Sequence, residues 1–176
     1  YLSVPADYKP IVRNALPTGY YASLDQSKKT NRHDFQLEKR TAADNDFTFI
    51  AISDPQVKNQ KQLERFRAET VSDLEATLRT LNGKEVYGMV LGDIVGDAMQ
   101  LFAPYKDAIS GLGLTMYHTI GNHDFDLKYA ALSNSQNPDE WGEYAFGDHF
   151  GPTDYSFNAG KAHIISMKDI DYHGQK

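Results

Sequence analysis

Between Phe47 and Ile120 the chain alternates short β-branched and aromatic runs with longer amphipathic stretches, and this alternation constrains the fold more than any other feature. The first run, FTFIAIS at 47–53, stops at Asp54-Pro55. Leu63, Phe66, Val71, Leu74, Leu78 and Leu81 then recur at steps of three, four and five residues, with polar residues between them. That spacing predicts a helix over 60–81, stopped at Asn82-Gly83. VYGMVLG at 86–92 predicts a second strand, and Leu101, Phe102, Tyr105 and Ile109 a second helix ending at Gly111. LTMYHTI at 114–120 predicts a third strand. Strand, helix, strand, helix and strand at this spacing imply an α/β fold with parallel strands and right-handed crossovers.

The flanks are less regular. Before Phe47, the pieces YLSV, GYYASLD and HDFQLEK read as short strands, with Leu2, Tyr20, Tyr21, Phe35 and Leu37 lining a small apolar face. So few strands are marginal alone, so 1–46 is expected to be the β-rich remnant of an N-terminal domain plus a polar linker at 41–46. A second domain is expected over 47–176. An opening Tyr1 in place of Met reads as a processed or excised chain. Beyond Ile120, a short helix is expected at 125–133 and a polar loop at 133–140. An aromatic excursion at 141–152 follows, with Trp141, Tyr144, Phe146 and Phe150 as a mini-core. A hairpin turning around 158–161 completes the expectation.

Composition excludes some roles. A formal net charge of −6 disfavours binding of long nucleic acids through a broad basic surface. With no cysteine there are no disulfides and no thiolate ligands. No apolar run approaches the length of a membrane span.

All three strands end at polar turns: Asp54 with Gln56, Asp93 with Asp97, and Gly121-Asn122-His123-Asp124. Parallel strands put these turns on one carboxyl edge, where open α/β sheets place their ligands. Carboxylates, amides and an imidazole gathered there repel and lose hydration unless a cation joins them. Such donors suit Mn, Fe or Zn, and less well Mg or Ca, with at least Asp93 as a ligand. Singly, each residue has a plainer reading, Asp97 above all as a loop closer. His118 and His163 lie inside strands and are expected to be packed, while His33, His149 and His173 have no marked setting.

In order and spacing, Asp54-Pro55-Gln56, Gly92-Asp93-Ile94-Val95-Gly96-Asp97 and Gly121-Asn122-His123-Asp124 resemble the first three motifs of the calcineurin-like metallophosphoesterase family, across about 47–170. The resemblance implies phosphomonoester or phosphodiester hydrolysis with two divalent metal ions and a small phosphoester substrate. Asp54 and Gln56 would bind the first metal, Asp93 would bridge both, and Asn122 would bind the second and touch a phosphate oxygen. The nucleophile would be a metal-bridging hydroxide. His123 would act as general acid, with Asp97 in a supporting role. The N-terminal piece resembles, more distantly, the end of a β-sandwich preceding this domain in some bacterial, apparently exported, members.

The chain also departs from the family pattern. Gln56 stands where the family usually has a histidine, and Gly96 where many members have the aspartate that supports the catalytic histidine. The later histidines that complete the family's site have no counterpart before Lys176. The domain is therefore expected to be truncated, with an unpaired sheet edge that favours self-association. The alternative is an inactive fragment or degenerate relative serving as a binding or structural domain. A nucleotide-binding doubly wound domain would need a glycine-rich loop where Asp54-Pro55-Gln56-Val57 stands.

Overall fold

A computed structural model describes residues 1–40, 46–81, 83–132 and 138–170. Near the N-terminus, β1 (Tyr8–Arg13) pairs antiparallel with β2 (Leu16–Thr18) and with β3 (Leu37–Lys39). Residues 8–10 of β1 face β3 and residues 11–13 face β2, so Pro10, which has no N–H to donate, sits where the strand changes partner. Asn14 and Ala15 turn the β1–β2 hairpin with φ of 51° and 65°, the left-handed pair of a tight two-residue loop. These strands differ from the expected ones. YLSV contributes only an isolated bridge at Val4, and GYYASLD is not a strand. Residues 41–45 of the expected linker, Asn82 of the helix stop, residues 133–137 of the expected polar loop and His173 lie outside the described residues, while residues 138–140 of that loop are helical rather than loop.

The parallel core follows the expected order. β4 (Phe47–Ile52), β5 (Glu85–Leu91) and β6 (Thr115–Thr119) form one sheet in that sequence. Between β4 and β5 run α1 (Gln60–Phe66), a π-helical turn (Arg67–Val71) and α2 (Ser72–Leu81). The π turn falls on the one five-residue step in the apolar pattern. Winding i to i+5 there keeps both Phe66 and Val71 buried. Asn59 caps α1 by accepting the Gln62 N–H at 3.0 Å. A 3-10 turn (Met99–Leu101) and α3 (Phe102–Ile109) lead into β6.

Alternation along β5 and β6 builds two cores. Val90 and Met116 face the helices, while Tyr87, Met89 and Tyr117 face the opposite side. There they meet Tyr20, Val4 and the hairpin of β7 (Tyr155–Ala159) and β8 (Ala162–Ser166). Tyr117 and Phe157 stack at 3.8 Å with ring planes 2° apart. Ala15 accepts the Met116 N–H at 2.7 Å, and Arg40 pairs with Glu85 at 2.7 Å. Tyr20 thus packs onto the parallel sheet rather than into a small core of its own.

The excursion at 141–152 is instead part of a helix, α5 (Pro138–Phe150), which follows α4 (Leu127–Leu132). Pro138 takes the first helical position, where its missing N–H costs nothing. Gly142, Phe146 and Phe150 form the buried stripe at four-residue spacing. Phe146 and Phe150 join the main core, but Trp141 and Tyr144 are 39% and 64% exposed, so no four-residue mini-core forms. Glycines at 142 and 147 hide this helix from propensity. On the other side of the sheet, β4 is an edge strand among the described residues, and Phe49 remains 36% exposed. No described helix is long and apolar enough to cross a membrane.

Candidate active site

The backbone of the first two turns is unusual where candidate residues stand. Asp54, Gln56, Asp93 and Asp97 have φ of 49°, 43°, 47° and 60°. For residues with a Cβ this conformation costs on the order of 1 kcal/mol each, and such strain concentrates at functional sites. The turns are held by one another. Gln56 N–H donates to the Asp93 carbonyl at 2.7 Å, Val57 N–H to Ile94 at 3.2 Å and Gly96 N–H to Val57 at 3.0 Å. Buried Val57, Ile94 and Val95 anchor the apolar underside, so β4 and β5 stay in register past their ends.

The third turn closes on the second. Gly92 has φ of 89°, and a Cβ there would lie 3.0 Å from the Gly121 Cα; one on Gly121 would collide with the Asp93 N and Oδ1. Both glycines permit an approach that no other residue allows. Asp93 Oδ1 then accepts the His123 N–H at 3.0 Å, and Asp97 N–H donates to the His123 carbonyl at 3.0 Å. Asp124 locks the junction. Its fully buried carboxylate accepts N–H groups of Ile94 at 3.1 Å, Val95 at 2.9 Å and Gly121 at 3.0 Å. Burial pushes its pKa up to about 6 against the pull of those donors, and the Asp93 charge adds to the rise.

Side chains expected at the edge meet in two groups. Gln56 Nε2 lies 3.3 Å from Asp93 Oδ2. His123 Nδ1 faces both Asp97 carboxylate oxygens at 3.0 Å, so the aspartate one place beyond Gly96 holds the imidazole. Asp54, exposed, accepts from the Ser53 hydroxyl and shares a groove with Gln56. Asn122 opens a short 3-10 turn (Asn122–Asp124), and its exposed side chain makes no hydrogen bond among the described residues. The remaining described histidines stand apart, His33 exposed on the N-terminal piece. His118 is buried against Tyr105 and Phe150, His149 faces Lys106 at 3.4 Å, and His163 faces Asn158 at 2.9 Å.

By type, the side chains at these turns are two carboxylates and two amides, the oxygen donors that a divalent cation takes. Asp93 is only 7% exposed, yet among the described residues neither it nor Asp54 pairs with a lysine or arginine. Of the four candidate ligands, two are neutral amides, and no group of three or more His, Asp or Glu converges among the described residues. Asp124 was the residue without an expected role. Its signal was an acid three places after a strand-ending glycine, positioned to bond back to that glycine's N–H.

No curated protein and no solved structure matches the chain. The sequence model of calcineurin-like phosphoesterases matches residues 47–175, the stretch that carries all three turns. With its parallel sheet, its flanking helices and most of its length inside that match, the chain belongs to the calcineurin-like phosphoesterase family.

Proposed function

We propose that this domain hydrolyses a small phosphomonoester or phosphodiester with divalent metal ions at the carboxyl edge of β4–β6. The observation supporting this reading is the buried Asp93 carboxylate, without an ion pair among the described residues, set between Gln56 and a His123 held by Asp97. Asp54, Gln56, Asp93 and Asn122 would hold two ions of the Mn, Fe or Zn kind, which supply Lewis acidity to phosphate oxygens and acidify water. Asp97 orients the imidazole through Nδ1, leaving Nε2 to hand a proton to the departing ester oxygen. Asp124 keeps the second and third turns at a fixed separation while the substrate is held.

Elemental analysis after loading with manganese, paired with turnover of alkyl and nitrophenyl phosphodiesters, tests the reading. Stoichiometric metal is expected, with His123→Ala losing about 10²- to 10⁴-fold on the alkyl ester while keeping its metal. A metal-free, inert protein refutes it. The two neutral amides favour a second reading, a binding domain without turnover; bound metal with neither ester cleaved would support that one.

A further inference from the structure

Resting on that reading of the site, we propose that Lys58 is a substrate-binding residue whose ammonium holds an anionic oxygen of the phosphoester beside Asp54. Lys58 lines the same groove as Asp54 and Gln56, a space of about 520 Å³. Its backbone is tied down, with its N–H donating to Gln62 Oε1 at 2.8 Å. The stem of the side chain lies on Gly96. A Cβ at that glycine would stand 2.5 Å from Lys58 Cγ and 2.6 Å from Cε, so the stem occupies the space a larger residue would need. Gly96 immediately precedes Asp97, the residue that holds His123. The stem of Lys58 thus runs along the turn that carries Asp97, on the border of the groove it shares with Asp54 and Gln56.

Among the described residues the charge at this position has no ion-pair partner. Arg65, the other cation of the groove, is taken by Glu69 at 2.9 Å. Lys58 makes no ion pair among the described residues, although Asp54, Asp93 and Asp97 all surround the same edge. A lysine kept merely to neutralise those carboxylates would approach one of them to within 4 Å. This one instead has its stem seated against Gly96 and its head without an ion pair among the described residues, as a lysine serving a mobile anion would. The anion appropriate to this edge is the phosphoryl group, whose non-bridging oxygens accept charge-assisted hydrogen bonds from an ammonium.

Titration calorimetry with inorganic phosphate on the manganese-loaded protein tests the inference, with manganese affinity measured alongside. Lys58→Met should weaken phosphate binding about tenfold while Lys58→Arg retains most of it, and neither should alter manganese affinity. On nitrophenyl phosphate the Met variant should raise KM more than it lowers kcat. Equal phosphate affinity in wild type and Lys58→Met, or no phosphate binding by the manganese-loaded wild type, overturns the role of Lys58 and leaves the metal site standing. If manganese does not bind, the hydrolase reading fails. Lys58 is then judged by phosphate binding to the metal-free protein: its loss in the Met variant upholds the residue's role, and no difference refutes it.

Discussion

Replacing Gly121 by alanine tests the joint between the second and third turns directly. The added Cβ would fall inside the contact distance of the Asp93 N and Oδ1, with the Asp93 Cα at 3.0 Å. These are largely backbone atoms, so no rotamer change relieves the clash and the two turns must separate. Overpacking of this kind costs about 1–3 kcal/mol. Separation also breaks the bond from His123 N–H to the Asp93 carboxylate, 3.0 Å in the native protein and worth about 1.5–3 kcal/mol for a charged acceptor. Gly121→Ala should therefore lose about 3 kcal/mol or more, a fall in Tm of roughly 6–12 °C for a chain of this size. Manganese affinity should drop with it, because Asp93 and Asn122 flank the joint. Thermal melts followed by circular dichroism, and calorimetric metal titration, supply the readouts. Gly147→Ala is the control: its Cβ meets nothing within 4 Å inside α5, and it should stabilise by about 0.5–1 kcal/mol. A Gly121→Ala protein with wild-type Tm and metal affinity would refute the argument.

Further expectations concern catalysis, acid stability and association. Asp97→Ala should reduce turnover about tenfold while sparing metal content, since the hydrogen bonds of the Asp97 carboxylate among the described residues go to the imidazole of His123; unchanged turnover in steady-state assays would remove Asp97 from the site. His118 has its pKa pushed from 6.5 down to about 3, chiefly by burial, so it stays neutral in the folded state while the unfolded chain takes up a proton below pH 6.5. Its contribution is complete above pH 6.5 and is lost as pH falls towards 3, at about 1.4 kcal/mol per pH unit. Urea unfolding of wild type and His118→Phe, compared from pH 7 to pH 4.5, should show the gap between them shifting against wild type on acidification; a pH-independent gap refutes this. Along β4, which has a free edge among the described residues and carries the 36% exposed Phe49, pairing with a second copy is the expectation. Sedimentation should show association that rises with concentration and weakens in Phe49→Glu; a strict monomer at high concentration would count against it.

Much of the parallel core was written in local pattern, because burial imposes its period on the chain. The apolar steps of the 60–81 segment mark the helix, while the π turn at its one five-residue step, Phe66 to Val71, is known from the structure. Parallel topology then brings Asp54, Asp93 and Asn122 to one edge without any knowledge of side-chain positions. The N-terminal hairpin escaped such reading because Ala15 occupies a left-handed position that favours glycine, held there by packing and by the Met116 N–H. α5 escaped because its stripe includes a glycine that faces Phe125. Local pattern was enough for the order of strands and helices in the parallel core, and for which polar turns share an edge. Tertiary structure alone decided that Asp97 reaches the His123 ring, that Asp124 is buried under three backbone donors and that Lys58 lies over Gly96. Apart from the local bond of Asp124 to Gly121, those contacts join residues 26 to 38 positions apart, and only the docking of one turn on another sets their distances.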